Sequence, residues 1–557
     1  MNRRGGSPWI LLIGCASLAM LAAGCGQAGG AKAPGASQAQ SKTIRCTVSG
    51  TPNIDPGVGI DYGSSIALVN LYDTLVFPKD DGTIQPCLAQ SWQADSSGKS
   101  FTFRLRQGVK FHSGKELTAD DVVFSAKRLL TIGQGYAFLF TGVIKNVEAL
   151  DPSTVRFTLT KPFGPFVQTL VRLYILDKDE VAKNIDKSSS KYGAMGDYGT
   201  SWLITHDAGS GPYVAKELKQ EDHLAAERFP DYWGGWDKDA PDSFKLIDST
   251  EGATVRTMIA NRELEITDMW QSSENIAAMS KISGVSIADY ARGSILNMMM
   301  NTKKAPTDDV NFRKALSYLI DYKMISEKIF PGSTQARGCV CSSTPGYTPD
   351  VVQYGLDPAK AKEYLQKSKY AGKLDQYPVE LLVNTDVADH EKVALSFQAE
   401  AQKVGITVNI TKAPWISITS RVAAVDTTPN LVCIDVPPQY NEAGSMLDTR
   451  YDSKTAGTWE QAEWLQNKKI DAEIEDALGT IDQDARFKKY GEIQRNIVDD
   501  ICPTIWLVEL IDRSAYQSDY VYWPAAEAQK QGRISTNLMG YHFYFHDFKV
   551  FPEKAKK

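Results

Sequence analysis

The sequence predicts an α/β protein made of mixed sheets flanked by helices. Three stretches carry that expectation. Between Phe101 and Leu130, apolar Phe101, Phe103 and Leu105 alternate with Thr102, Arg104 and Arg106, the period of a strand with one buried face. Val122, Ala126, Leu129 and Leu130 then recur at helical spacing. From Val379 to Ile410 a strand, a helix and a strand follow one another, a βαβ order that demands a parallel pair. Ile144 to Leu150 and Thr154 to Leu159 alternate on either side of Asp151-Pro152, which reads as a hairpin.

In the first stretch, Gln107-Gly108 breaks the alternation and His112-Ser113-Gly114-Lys115 reads as a turn. Thr118 is a good N-cap with Asp121 at capping-box spacing, and Asp120 and Asp121 both suit the positive end of the helix dipole. Capping explains both acids, so they are not read as a catalytic pair. Upstream, Thr43 to Val48 reads as a strand and Ser64 to Leu75 as a helix. Gly and Pro punctuate Gly209 to Gly235, and its Tyr232, Trp233 and Trp236 read as packing a core or turn. Leu264 to Trp270 reads as a strand; ligands of α/β sheets sit beyond strand ends, so Trp270 is a pocket candidate.

Ser294 to Thr302 reads as a strand, in which Met298, Met299 and Met300 alternate faces and pack rather than bind metal. Asn311 to Asp321 is predicted as a helix, Leu431 to Asp435 as a buried strand, Arg486 to Val498 as a helix and Pro503 to Val508 as a strand. Aromatic alternation over Tyr541 to His546 predicts a strand. There His542 and His546 stand about 13 Å apart and do not share an ion.

At 557 residues the chain is expected to form two to four domains. A formal charge of −6 without a basic stripe argues against a nucleic-acid partner. A secreted hydrolase of peptides or glycans is the alternative of another class; no H-E-x-x-H or G-x-S-x-G is present, so the reading is a non-enzyme without cofactor or metal. Arg3 and Arg4 followed by apolar Trp9 to Ala23 read as an export signal over residues 1–24. Leu21-Ala22-Ala23-Gly24-Cys25 resembles a bacterial lipobox, which makes Cys25 the lipidation site and anchors the chain to a membrane; residues 25–42 follow as a flexible tether. Cys46, Cys87, Cys339, Cys341, Cys433 and Cys502 read as structural bridges or buried thiols, with no pairing fixed by spacing.

The run Phe103-Arg104-Leu105-Arg106, Gly108-Val109-Lys110-Phe111-His112 and Leu117-Thr118-Ala119-Asp120-Asp121-Val122-Val123-Phe124-Ser125 resembles the signature of the family 5 extracellular solute-binding proteins, the peptide- and nickel-binding receptors of ABC importers. Leu88-Ala89-Gln90-Ser91-Trp92, Asn311 to Asp321, Asp357-Pro358-Ala359-Lys360-Ala361 and Pro503 to Val508 extend the resemblance over nearly the whole mature chain. It implies a large two-lobed periplasmic-binding-protein fold, type II-like with an extra subdomain, hinged on two crossing strands. The expected boundaries are 43–292 for lobe I, with an inserted subdomain at about 76–190, 293–504 for lobe II, and 505–557 returning to lobe I. The implied function is capture of a small solute between the lobes and delivery to an ABC permease and its ATPase.

In peptide-binding relatives an aspartate directly before a tyrosine pairs with the peptide ammonium; here Gln439 precedes Tyr440. Trp415 matches a tryptophan that lines the pocket, and no arginine stands near His390-Glu391-Lys392 to meet a carboxylate. Asp435 or Glu442 are candidate substitutes for the first charge and Lys392 for the second. The expected ligand contacts are therefore Trp415, Gln439, Tyr440, Asp435, Glu442, Trp270 and Lys392. The solute is read as a peptide or, because a neutral amide beside aromatics suits hydroxyls, an oligosaccharide.

Overall fold

The computed structural model describes residues 42–79, 83–385, 387–531, 533 and 538–555. Cys25, the leader and the tether up to residue 41 lie outside the described residues.

Three sheets dominate. Ala89–Ala94, Ser100–Leu105, Thr154–Leu159 and Ile144–Asp151 form an antiparallel sheet in that order. The helix Ala119–Ile132 packs on it with Val122, Ala126 and Leu129 buried. Asp121 closes the capping box, accepting from the Thr118 amide at 2.9 Å, and Lys115 Nζ reaches it at 2.6 Å. A second sheet sets Thr43–Val48 parallel to Ser243–Asp248, followed by antiparallel His223–Arg228 and Tyr213–Lys219.

The third sheet runs Thr334–Gln335, Thr504–Gln517, Val285–Met300, Leu431–Val436, Val379–Asn384 and Val408–Ala413. Val379–Asn384 and Val408–Ala413 are parallel, joined by the helix Ala388–Gln402, as the βαβ order requires. Both long strands, Val285–Met300 and Thr504–Gln517, exceed the sequence expectation. They pair antiparallel from Val285 opposite Gln517 to Met299 opposite Thr504, with a register break between Ala291 and Ile295. Gly293 takes φ 70° there, left-handed backbone that favours glycine. One half of this ribbon lies beside the second sheet; the other half is the core of the third.

Three expectations are corrected. Leu264 to Trp270 is no strand: Ile266 makes single bridges to Cys46 and Tyr516, wedged between Thr43–Val48 and Thr504–Gln517. Thr267 spends its hydroxyl on the Ala515 amide at 2.9 Å, and the Asp268 amide turns to the Thr47 hydroxyl at 2.8 Å, so no ladder extends. Tyr541–Phe543 and Phe545–Asp547 are two tight helical turns, not a strand, because their aromatic side chains face different neighbours. His542 packs on Tyr290, while His546 bonds Asp547 at 2.6 Å and the Gly235 carbonyl at 2.9 Å. The first helix ends at Leu71, earlier than Leu75. The six described cysteines are all buried free thiols, so the bridge alternative does not hold among them.

Candidate functional site

The register break leaves Arg292 projecting where the second and third sheets meet. Its Nη1 reaches Asp435 Oδ2 at 2.6 Å and its Nε reaches Asp512 Oδ1 at 2.6 Å. Asp435 is the penultimate residue of the strand Leu431–Val436, and Asp512 lies on Thr504–Gln517 opposite Tyr290. The guanidinium also stacks 4.9 Å from the centre of the Trp270 ring, a cation–π contact. One cation thus holds two acids and an aromatic wall.

These groups line a cavity of about 70 Å³ with Met269, Ile276, Phe330, Asp389 and His390. Burial works against the Asp435 charge, but Arg292 outweighs it and holds the carboxyl below the usual range. For Asp512 burial wins over the same arginine and pushes the carboxyl up. Burial also lowers His390, which keeps its ring neutral. Asp512 Oδ2 and His390 Nδ1 have no hydrogen-bond partner, although Asp512 is 1% and His390 3% exposed.

Contacts between segments far apart in sequence surround the cavity. Lys392 Nζ, on the helix Ala388–Gln402, bridges Asp389 at 2.8 Å and Glu274 at 3.0 Å. Ser273 Oγ donates to the Ile329 carbonyl at 3.2 Å. Farther along, Arg172 Nε donates to the Gln439 carbonyl at 3.1 Å and Nη1 to Met539 at 3.0 Å. Gly164 N reaches the Leu478 carbonyl at 2.8 Å.

Of the expected contacts, Trp270 and Asp435 meet in this cavity, and Lys392 stands at its edge. Gln439 is 3% exposed, and its amide donates to Glu460 at 3.1 Å. Burial pushes the Glu460 carboxyl up to about 7. Trp415 starts the helix Trp415–Val422, 37% exposed and edge-to-face with Trp459 at 5.4 Å. Glu460 follows Trp459 in the chain, so Trp415, Trp459, Glu460 and Gln439 form a second group. Tyr440 is buried and lines no part of the first cavity.

Glu442 belongs to neither. Arg486 Nε and Nη2 hold its oxygens at 2.8 and 2.9 Å, and the Tyr490 hydroxyl adds 2.7 Å. Arg292, Asp512 and Glu460 were missed in the sequence; a charged Arg292 between the apolar ends of one strand is the signal that marks the first.

The profile of the bacterial extracellular solute-binding proteins, family 5 middle region, matches residues 83–458. A probable D,D-dipeptide-binding periplasmic protein of Escherichia coli (strain K12) is 29% identical over 455 residues, covering 80% of this chain and 84% of that protein. Haem-binding protein A of Haemophilus influenzae is 26% identical over 511 residues, covering 86% and 90%. A periplasmic binding protein of Helicobacter pylori, solved with the peptide STSA, superposes with a TM-score of 0.75 at 21% identity, covering 91% of this chain and 98% of that one. The two-lobed fold hinged on crossing strands is therefore shared across the described length, and with more than half the chain inside the profile, this protein belongs to the family 5 bacterial extracellular solute-binding proteins.

Proposed function

We propose that this receptor captures a peptide-class solute where Arg292 joins its halves and delivers it to an ABC permease and its ATPase. The observation that carries the reading is the cavity at the register break. It lies between segments far apart in sequence, it is walled by Trp270, and two of its buried polar atoms lack partners. Buried polar atoms are ordinarily hydrogen-bonded, so such a wall is built to meet a donor. Relatives named for dipeptide binding support the peptide class.

We assign lobe I to 43–292 with 505–557 and lobe II to 293–504, and place the second crossing beyond the 504–505 boundary, at Leu510 opposite the break. The subdomain at about 76–190 corresponds to the sheet around Ser100–Leu105. Contacts such as Lys392 to Glu274 and Arg172 to Gln439 exist only with the lobes together. A solute touching both lobes stabilises that arrangement over an open one. Acylated Cys25 would tether the receptor to the membrane; Cys25→Ser is expected to move it from the detergent phase to the aqueous phase.

An oligosaccharide is a second reading, favoured by the unpartnered Gln439 Oε1 and Asn441 Oδ1 near the Trp415–Trp459 pair. Unfolding of the mature chain is measured against unblocked di-, tri- and oligopeptides and against oligosaccharides. A ligand at about 100 times its Kd adds about 2.7 kcal/mol to stability. A shift with peptides, abolished by Trp270→Ala, is the expected result. A shift with sugars alone, sensitive to Trp415→Ala, would replace the peptide class with the second reading.

A further inference from the structure

The cavity at the register break carries more acid than base. Asp389, Asp435 and Asp512 line it with only Arg292 and Arg513 as permanent cations. Arg513 is committed to Asp289 at 3.0 Å. Arg292 is divided between Asp435 and Asp512, one positive charge against two negative. Lys392 balances Asp389 but is shared with Glu274. The wall therefore carries more carboxyl groups than cations free to answer them.

The two unpartnered atoms specify what answers it. Asp512 Oδ2 and His390 Nδ1 are both unpartnered, both buried and both on residues lining this cavity, and His390 Nδ1 accepts in the tautomer that carries its proton on Nε2. A carboxylate is an acceptor only, and a neutral imidazole accepts at the nitrogen that lacks the proton. The occupant must therefore be a cation with at least two N–H donors, and with about 70 Å³ available it must be compact. A guanidinium needs a planar slot beside an aromatic face, and the Trp270 ring already carries Arg292. A hydroxyl brings one donor and no charge.

We propose that this cavity seats a protonated amine of the solute, donating to Asp512 Oδ2 and His390 Nδ1, and that this seat, not position 439, sets the charge the receptor accepts. The inference rests on the reading that the solute binds at the Arg292 junction. In the bound state the ammonium offers one N–H to Asp512 Oδ2 and a second to His390 Nδ1, whose ring carries its proton on Nε2. Arg292 aims Asp512 by occupying its other oxygen, and the incoming ammonium favours the ionised carboxylate that burial alone disfavours. An N-acylated solute loses the charge and two of the three N–H donors while adding bulk, so at least one acceptor stays bare.

The test is calorimetric titration of the mature chain with alanyl-alanine, in L,L and D,D forms, and with the N-acetyl derivative of each. The unblocked form is expected to bind at least about 100-fold more tightly than its acetylated counterpart. Asp512→Asn keeps an oxygen for Arg292, so the fold is retained; it is expected to weaken the unblocked dipeptide by at least about tenfold and to leave the acetylated one unchanged. His390→Gln, with a chain acceptor in place of the ring, is the second variant and is expected to retain most affinity, while His390→Leu loses it. Equal affinity for unblocked and acetylated dipeptides overturns the amine seat and leaves the peptide reading standing. Loss of binding in Glu460→Gln with none in Asp512→Asn overturns it in favour of the group around Gln439. Binding of oligosaccharides with neither dipeptide form overturns the functional reading as well.

Discussion

Two arginine clusters lie within the same protein, and each takes a carboxylate from the stretch 435–442. Around Arg486, one cation meets one acid: both Glu442 oxygens are held by the guanidinium, and Tyr490 completes the set. Around Arg292, one cation meets two acids, and Asp512 Oδ2 is left over. Both clusters are buried, and each sets one arginine against carboxylates. The difference is saturation. A cluster whose every atom is used inside the chain holds the fold, whereas one that leaves charge and acceptors unspent is prepared for something from outside.

Removing Glu442 is expected to produce the larger structural effect. Glu442→Ala strands the buried Arg486 charge, and breaking such a pair costs about 3–5 kcal/mol. Denaturant unfolding should show that loss, while affinity for the solute in the folded fraction stays within about twofold of the parent. A parallel loss of affinity would show that the saturated cluster also shapes the cleft.

Arg292→Met should cost less stability and more function. Asp435 and Asp512 are then left together without a cation, and one of them takes up a proton rather than remain charged. That relief limits the cost to about 2–3 kcal/mol, below the figure for an uncompensated charge. Asp435 has its folded carboxyl below the usual range because of Arg292. Its contribution is therefore present above the unfolded carboxylate range and lost as pH falls through the folded value. The variant should lack that acid-side loss, so its stability deficit narrows as pH falls. Solute affinity should drop by at least about tenfold, since Asp512 loses the partner that aims it and opposes its protonation. An unchanged affinity would place Arg292 with Arg486 as purely structural.

The fold was legible wherever its signal is local. The capping box at Thr118 and Asp121, the hairpin before Leu159 and the parallel pair Val379–Asn384 with Val408–Ala413 each follow from neighbours in sequence. The site was legible only in part, because its geometry is long-range. Arg292 meets Asp435 across 143 positions and Asp512 across 220, and no periodicity reports such a pairing. Asp435 and Glu442 were therefore equivalent candidates until their partners were seen. The strand Val285–Met300 was read only from Ser294 because Arg292-Gly293 interrupts its apolar pattern. That interruption is itself the register break of the long strand pair. The wedge at Leu264–Trp270 looked like a strand because its alternation serves two neighbouring sheets through single bridges instead of one ladder.

Glu460 stands between the two clusters in character and gives the smallest of the expected effects. Among the described residues its side chain bonds the Gln439 amide at 3.1 Å, and burial pushes its carboxyl up to about 7. A folded value above the unfolded one, about 4.3, means that the folded state binds the proton more tightly. Its contribution is thus fully present below the unfolded value and is lost as pH rises through about 7. Glu460→Gln keeps an acceptor for Gln439 and removes the ionisation, so it should be more stable than the parent at pH 8 and indistinguishable near pH 4. Unfolding followed at both pH values decides the point. A gain at pH 8 that vanishes in acid means that Glu460 is held against its own burial, as Asp512 is. An equal or negative effect at both means that ionised Glu460 is paid for by neighbours, as Glu442 is by Arg486, and that the group around Gln439 is a second saturated cluster.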